Sequence, residues 1–328
     1  MKHRLYTLLY IIAFFSSLST AQPVGYTQYM AADGLSDNNV LCGLRDQYGF
    51  MWLGTNNGLN CFDGTQNIVY RNMVEDYASF ENNTITALYE HEQDIWFGGS
   101  FGVYVYHRSS NSFSRFDKQT RYGVTISTTV QSIVGGQDGK IWIGTLGQGL
   151  FIYDPQADTL TQDSRHGAFI SDVLVVDDSP VFVASMQGDV YTFGRDGQVQ
   201  KHFTIPGYVS DKNKICLKAM DYKLYIGCER GLYRVHRGEY TVEQLAGVRG
   251  GIHAIHARGA DLLLGTNEGL FLYSPSTGQM KRYDGYADIP ANSQMRQTGN
   301  DTEWKDVTAN LKINSLYWDR DSTLWVMT

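Results

Sequence analysis

The sequence predicts an all-β protein, a seven-bladed β-propeller of four-stranded blades whose last blade is incomplete in this chain. Two observations lead to this prediction. The 328 residues include 22 Tyr, 15 Phe and 34 Gly but only 6 Pro, a balance typical of many short strands joined by glycine turns. One short pattern also recurs along the chain, and repetition at about 40–45 residues is typical of propeller blades.

The repeated unit is clearest at Gly49–Asp63, which reads GFMWLGTNNGLNCFD. An apolar run with one large residue is followed by a small residue, a polar turn and a second apolar run. The large anchor residues of the seven copies are Trp52, Trp96, Trp142, Phe182, Tyr225, Leu263 and Trp325. Their separations are 44, 46, 40, 43, 38 and 62 residues. Seven copies at this spacing predict seven blades.

Each repeat can be divided into four strands. In the first repeat the predicted strands are, from the inside outwards, NNVLCGLRD, FMWLGT, GLNCFDG and NIVYRN. The turn after the inner strand contains Asp46, which can accept backbone hydrogen bonds, and Gly49, which can adopt a positive φ. Trp52 and Gly54 lie on one face of the second strand. We therefore expect the indole to pack between blades while the glycine permits close approach.

The seventh repeat, STLWVMT (Ser322–Thr328), coincides with the end of the sequence and contains no third strand. GYTQYMA (Gly25–Ala31) precedes the first inner strand and could supply the outer strand of the last blade. We therefore expect residues 22–328 to form a propeller that is truncated in its seventh blade and that belongs to a longer protein.

The first 21 residues have the pattern of a secretory signal peptide. Lys2, His3 and Arg4 precede an apolar stretch from Leu5 to Phe15, and small or polar residues continue to Ala21. This is the order of the basic, hydrophobic and cleavage regions of such a signal. The apolar stretch is short for a bilayer, which requires about 20 residues. We expect cleavage after Ala21 and export to the periplasm.

Charge and cysteine content narrow the possible functions further. Loss of the predicted signal peptide removes Lys2 and Arg4 and changes the net charge from −7 to −9. An acidic chain lacks the basic surface that offsets phosphate charge, so nucleic acid is not an expected partner. The cysteines lack metal-ligand spacing and are predicted to be small buried thiols, although export permits a disulfide. They are Cys42, Cys61, Cys216 and Cys228.

Two motifs relate the chain to a known family. The first is YTQYMAADGLSDNNVLCGLRDQYGFMWLGTNNGLNCFDG (Tyr26–Gly64), and the second is the repeat class of IWIGTLGQGLFIYD (Ile141–Asp154). With these motifs, Tyr26–Thr328 resembles the periplasmic sensor region of the hybrid two-component histidine kinase/response regulators of Bacteroidetes. The resemblance implies a parent with two tandem propellers, a β-sandwich, an inner-membrane helix and cytoplasmic kinase, receiver and DNA-binding modules. It also implies an oligosaccharide ligand and a homodimer.

A propeller commonly binds its ligand where the turns between second and third strands meet the loops that join successive blades. Loops on a rigid scaffold carry binding residues more often than the strands do. These turns vary in sequence among the repeats, mixing amide, charged and apolar residues. The predicted ligand contacts at the turns are Asn56, Asn57, Phe101, Gln148, Arg230, Asn267 and Glu268.

The 62-residue gap before Trp325 exceeds the usual period by about 20 residues. The excess falls in Tyr286–Asn310, and long loops in compact domains are usually functional or disordered. Within it, Trp304 could stack on a sugar ring and Arg296 could bind hydroxyl or acidic groups. The alternative is that the loop packs on a neighbouring propeller.

Catalytic residues, metal sites and cofactors are not predicted. His253 and His256 are three residues apart and would point to opposite faces of a strand, which does not suit a shared metal. The recurring aspartates lie at hairpin turns, where capping accounts for them: Asp46, Asp138, Asp319 and Asp321. We therefore favour a non-catalytic sensing module. The alternatives are an exported propeller glycoside hydrolase or polysaccharide lyase, and a chiefly structural propeller.

Overall fold

The computed structural model describes residues 27–72, 82–176, 181–194, 197–209, 214–236, 238–248, 250–283, 311–319 and 323–328. These residues form six four-stranded sheets and one two-stranded sheet. Consecutive strands of each sheet pair in antiparallel fashion. A short 3₁₀ helix, Ala31–Asp33, precedes the first sheet.

The four-stranded sheets follow one another along the chain and are numbered here as blades 1 to 6. Blade 1 contains β1 (Val40–Arg45), β2 (Met51–Thr55), β3 (Gly58–Phe62) and β4 (Asn67–Tyr70). Blade 2 contains β5 (Ile85–His91), β6 (Asp94–Gly99), β7 (Gly102–His107) and β8 (Ser112–Arg115). Blade 3 contains β9 (Val130–Gly135), β10 (Ile141–Thr145), β11 (Leu150–Asp154) and β12 (Thr159–Asp163).

Blade 4 contains β13 (Ile170–Leu174), β14 (Val181–Ser185), β15 (Asp189–Phe193) and β16 (Val199–Thr204). Blade 5 contains β17 (Cys216–Met220), β18 (Lys223–Cys228), β19 (Gly231–His236) and β20 (Val242–Gln244). Blade 6 contains β21 (Ile252–Arg258), β22 (Asp261–Thr266), β23 (Gly269–Ser274) and β24 (Gln279–Arg282). The seventh sheet contains β25 (Ser315–Trp318) and β26 (Leu324–Met327).

The first strand of each sheet lies on the inside of a ring. The first strands of successive sheets contact one another, and β25 contacts both β21 and β1. The strands therefore surround a central channel, which is the arrangement of a β-propeller. The prediction of an all-β propeller with four-stranded blades is confirmed, and all four strands of the first repeat lie where the sequence placed them.

Neighbouring blades pack through a large residue and a small residue on the second strand. Trp52 is 1% exposed, and its ring lies 5.1 Å from that of Tyr106 in blade 2. Two residues further on, a Cβ added to Gly54 would lie 2.8 Å from the Ile85 side chain. Four other glycines make equally close approaches of 2.6–2.7 Å: Gly98 to Val130, Gly144 to Ile170, Gly227 to Ile252 and Gly265 to Ile313.

At the contact that closes the ring, the second strand carries the large side chain and the inner strand of the next blade carries the glycine. Met327 occupies the position of these glycines on β26 and is 3% exposed, and its Cε would lie 2.1 Å from a Cβ added to Gly43 in blade 1. The backbone N–H of Val40 donates to the carbonyl of Thr328 at 2.9 Å. Asn314 Nδ2 donates to Asn39 Oδ1 at 2.8 Å. The seventh sheet therefore joins blade 1 through backbone and side-chain contacts together.

The N-terminal segment differs from its predicted role in the last blade. Its described part, residues 27–30, is not in a strand and leads into the 3₁₀ helix. Met30 N–H donates to Asp33 Oδ2 at 2.9 Å, which fixes a turn rather than an extended strand. Tyr29 instead packs on Phe62 and Trp325, with ring centroids 4.8 and 6.4 Å apart.

The four cysteines are free thiols, as predicted. Burial raises the pKa of both Cys42 and Cys61 to about 12. Among the described residues, no helix is both long enough and apolar enough to cross a membrane. The predicted signal peptide lies outside the described residues.

Candidate functional site

The turns between second and third strands lie at one end of the ring, and a hydroxyl side chain organises several of them. Thr55 Oγ1 accepts a hydrogen bond from Asn57 N–H and donates one to the carbonyl of Gly58, both at 3.0 Å. Thr145 and Thr266 make the same pair of bonds in blades 3 and 6. Each turn therefore has a backbone geometry set by its own strand.

A second set of bonds, which the sequence did not reveal, fixes these turns from the outside. In five blades a long side chain of the outer strand or just beyond it donates to the carbonyl of the residue 14 positions earlier, at 2.8–3.2 Å. The donor and acceptor residues are Arg71 and Asn57, Arg115 and Phe101, Gln162 and Gln148, Gln244 and Arg230, and Arg282 and Glu268. The five turns are thereby held in place before any ligand arrives.

These five acceptors are all residues predicted as ligand contacts, and each directly precedes a glycine, which starts the third strand in four of the blades and lies one residue before it in blade 3. Phe101 is 46% exposed. The side chains of Arg230 and Glu268 make no hydrogen bond to another described residue. Gln148 is different, because its Oε1 accepts from Ser127 N–H at 2.8 Å and its Nε2 donates to the carbonyl of Thr125 at 3.0 Å. Gln148 therefore ties its turn to the preceding loop.

Asn56 and Asn267 occupy the turn position one residue earlier, in blades 1 and 6. Asn56 bonds through its backbone, donating to the carbonyl of Asn39 at 3.4 Å. Asn267 also uses its side chain, because its Oδ1 accepts from His253 Nε2 at 2.7 Å. The side chain of Asn267 is therefore bonded directly to an inner strand, at His253 of β21. Arg296 and Trp304 lie outside the described residues.

A ring of seven residues surrounds the mouth of the channel at this end. Each member directly precedes a buried aliphatic residue at the start of an inner strand, such as Val40, Ile85 or Ile252, or just before it, as Ile215 and Ile313 are. The members, in order from blade 1 to the seventh sheet, are Asn39, Thr84, Thr129, Phe169, Lys214, Gly251 and Lys312. We call them the channel-mouth ring.

Polar side chains from blades 5 and 6 meet at Gly251. A Cβ on this glycine would lie 2.3 Å from Glu229 Oε2 and 2.7 Å from Asn267 Nδ2. Glu229 therefore occupies, with Asn267, the space that a larger residue would fill. His253, two residues after Gly251 in β21, is 5% exposed. Burial lowers the pKa of His253, and the positive charges of Lys312 and Lys214 act in the same direction.

Further ionisable groups lie deeper along the channel. Asp172 accepts backbone hydrogen bonds from Leu217 and Val173, both at 2.9 Å. Desolvation raises the pKa of its carboxyl, although Lys214 opposes this change. Burial lowers the pKa of Lys218. Burial and the charge of Lys218 together lower the pKa of His256 to about 4.

The recurring aspartates at the other end of the ring do more than cap turns, which corrects the prediction for two of them. Asp46 caps its turn through Oδ1, and its Oδ2 accepts from Trp52 Nε1 at 2.8 Å and from Arg108 of blade 2. Asp319 likewise accepts from Trp325 Nε1 at 3.1 Å and from Arg45 of blade 1 at 3.2 Å. A carboxylate six residues before the anchor tryptophan is the sequence signal for this bridge between blades.

Blade 3 shows what happens without that carboxylate. Gly136 stands six residues before Trp142, and its N–H bonds to the carbonyl of Lys140 as Asp46 N–H bonds to that of Phe50. The indole N–H of Trp142 is buried and has no hydrogen-bond partner among the described residues. Asp138 instead caps Lys140 N–H at 3.3 Å and pairs with its ammonium at 2.9 Å.

A cavity of about 330 Å³ lies beside β26. It is bordered by residues 27–30, by apolar side chains of the first blade and by residues 324–328. No group of three or more metal-ligating side chains occurs within the described part of the chain.

No protein-family model matches the sequence. The chain is 41% identical over 54 residues to histidine kinase P4 of Formosa agariphila, a match covering 16% of this chain and 4% of that protein. Solved structures give broader matches. The extracellular domain of the putative hybrid two component system BT3049 from B. thetaiotaomicron has a TM-score of 0.74 and 21% identity over 92% of this chain.

The extracellular domain of the putative one component system BT4673 from the same organism gives a TM-score of 0.69 at 21% identity, again over 92% of this chain. This chain spans 40% and 38% of the lengths of the two structures. Both likenesses are likenesses of fold. The chain therefore has the β-propeller fold of the extracellular domains of these signalling systems, in agreement with the resemblance of its motifs.

Proposed function

We propose that this chain is a non-catalytic, ligand-sensing propeller exported to the periplasm, and that it binds oligosaccharides at the turn face around the channel mouth. The observation that carries the proposal is the set of five turns fixed by bonds from outer-strand side chains. A face whose backbone is already ordered loses little conformational freedom when a ligand binds.

The chemistry of the channel mouth supports the same proposal. Glu229 and Asn267 supply carboxylate and amide groups beside Gly251, and such groups can bind sugar hydroxyls. Phe101 and Phe169 are both exposed, at 46% and 45%, and their rings can cover the apolar face of a sugar. A small number of polar groups that converge beside an apolar surface is typical of small-molecule sites.

The role in signalling rests on the fold neighbours and on the resemblance of the motifs. In this proposal β25 and β26 are the first two strands of a seventh blade. The parent protein adds a second propeller and a β-sandwich, is anchored in the inner membrane and forms a homodimer. Ligand binding at the turn face is then relayed by a change in how the two subunits are arranged.

The purified chain can be tested by calorimetry against a panel of neutral and acidic oligosaccharides, with chromatography of each sugar afterwards. We expect binding that Asn267→Ala weakens and that leaves every sugar unchanged. Gln279→Ala is the matched control, since Gln279 is an exposed amide at the start of β24, at the opposite end of blade 6. Normal binding by Asn267→Ala would contradict the proposed site.

The same experiment addresses the alternative function. If an activity that forms shorter or unsaturated sugars copurifies with the folded chain, that result would indicate a propeller hydrolase or lyase instead. In that case, substitutions of the carboxylates near the channel mouth, such as Glu229→Gln, should abolish product formation while binding persists.

A further inference from the structure

Two lysines stand on either side of Gly251 in the channel-mouth ring. Lys214 precedes the inner strand of blade 5, and Lys312 precedes that of the seventh sheet. Blade 6, which lies between them, contributes only glycine at this position. The two side chains therefore flank a gap in the ring, and this gap is where Glu229 and Asn267 lie.

Lys214 is half-buried and lies just before the inner strand of blade 5. Burial raises the pKa of Cys42 to about 12, and the charge of Lys214 opposes this rise. The same charge acts on Asp172 and Cys216. These residues belong to the inner strands of blades 1, 4 and 5, which face one another across the channel. The charge of Lys214 therefore acts on groups in three different blades.

Neither lysine forms an ion pair or hydrogen bond with any residue that the structure describes. Four other described lysines, Lys201, Lys218, Lys223 and Lys281, also lack such a bond, whereas Lys140 pairs with Asp138 at 2.9 Å. It is therefore their position in the channel-mouth ring that sets Lys214 and Lys312 apart. Two lysine ammonium groups at a channel mouth, neither bonded to a described side chain, provide hydrogen-bond donors and charge for an anion.

We propose that the channel mouth binds an acidic sugar residue, with Lys214 and Lys312 taking its carboxylate or sulfate group. This inference rests on the proposed function and specifies its ligand class. Asn267 and Glu229 take neighbouring hydroxyls of the same sugar. Phe169, which precedes Lys214 in the ring and is 45% exposed, covers a ring face.

The mixture of charges favours an acidic sugar over a free inorganic anion. Glu229 accepts hydrogen bonds but repels a second negative charge. A bare phosphate or sulfate at Gly251 would lie against this carboxylate. A sugar can instead place its acidic group on the lysines and direct hydroxyl groups to Glu229, so that every polar group of the site has a complementary partner.

The test is calorimetric titration with a galacturonic acid trimer and with its methyl ester, which has the same skeleton without the charge. A sulfated galactose trimer represents the other source of the acidic group. We expect the acid to bind at least about tenfold more tightly than the ester, the effect of one charge-assisted hydrogen bond. Lys214→Met and Lys312→Met should each remove most of that difference.

The matched control is Lys281→Met, on the exposed outer strand of blade 6, which should bind as the unchanged chain does. Melting temperatures confirm that the variants are folded. If the binding of one acidic trimer depends on both lysines, the acidic group of that trimer, carboxylate or sulfate, is the preferred one.

Two results would overturn the inference. Equal binding of acid and ester, or full binding of acid by both lysine variants, would show that the lysines do not select the ligand. If neutral oligosaccharides still bind and require Asn267, the proposed function stands without the acidic specificity. If no oligosaccharide of either kind binds, both proposals fail.

Discussion

The first blade and the two-stranded seventh sheet place the same anchor residue in different surroundings. Trp52 is 1% exposed and lies between the rings of Tyr70 and Tyr106, at 6.1 and 5.1 Å. Trp325 is only half-buried. Its aromatic neighbours are Tyr29, from the N-terminal segment, and Phe62. The indole N–H bonds to an aspartate in both cases.

The difference shows which part of a blade supplies its stability. The bond from tryptophan to aspartate is made by the first two strands alone, so it is present in both sheets. Burial of the indole requires the outer strands and the next blade, because Tyr70 belongs to β4 and Tyr106 to β7. The hydrogen bond is therefore a local property, while the hydrophobic contribution depends on the complete blade.

The largest expected effect is the removal of these anchors. Trp52→Ala should destabilise the chain by about 3–5 kcal/mol, as large buried aromatic residues do when truncated. Trp325→Ala should cost clearly less, because its ring is already partly in water. Urea unfolding followed by circular dichroism measures both, and equal losses would break the comparison.

A smaller effect on stability is expected at two contacts between blades. At one of them Gly54 of blade 1 faces blade 2, and at the contact that closes the ring Gly43 of blade 1 faces Met327. Gly54→Ala places a methyl group 2.9 Å from the carbonyl of Ile85, and overpacking against backbone costs about 1–3 kcal/mol. Gly43→Ala meets the flexible end of Met327 instead, so it should cost less.

The double variant Gly43→Ala with Met327→Ala separates packing from backbone effects. The small side chain at 327 makes room for the new methyl group, so the two changes together should destabilise less than the sum of the single changes. Strict additivity in urea unfolding would show that Met327 and Gly43 do not form the closing contact.

The smallest effect should be a change in pH dependence at the border of blade 6 and the seventh sheet. His256 stacks on Trp318 at 6.3 Å, and its pKa is lowered to about 4. Because the unfolded chain binds the proton more readily, stability should fall as pH decreases from about 6.5 towards 4. His256→Gln should reduce this slope.

His236→Gln is the control for that prediction, since His236 is exposed at the end of β19. The measurement is the urea midpoint at pH 7 and at pH 5 for each variant. An unchanged slope in His256→Gln would mean that His256 is solvated by the channel and does not respond to burial.

Features that repeat in sequence were predictable, and those that repeat only in space were not. Trp52 and Gly54 recur in type and spacing, so their packing roles followed from the pattern. The bonds to the turns are made by arginine in some blades and glutamine in others, as in Arg71 and Gln162. Only the separation of 14 residues between donor and acceptor is constant. Because the type of the donor residue varies, the sequence pattern does not show this separation.

The candidate site depends on loops of unequal length, which further limits prediction. Asn267 was identified as a turn residue, but its bond to His253 depends on an irregularity in β21 between Ile252 and Ala254. Lys214 and Lys312 share only the buried isoleucine that follows each of them, Ile215 and Ile313, and this short pattern does not by itself indicate a channel mouth. Both lie at the same end of the ring because each stands just before an inner strand, and the inner strands of all the sheets begin at that end.

The most direct test of the account is hydrogen–deuterium exchange of the chain with and without the galacturonic acid trimer, with the sugar recovered afterwards. The account predicts slower exchange in peptides that cover Glu229–Gly231 and Asn267–Gly269, together with unchanged sugar. Protection confined to blades 1 to 3, or recovery of a cleaved sugar, would contradict a non-catalytic binding site at the channel mouth.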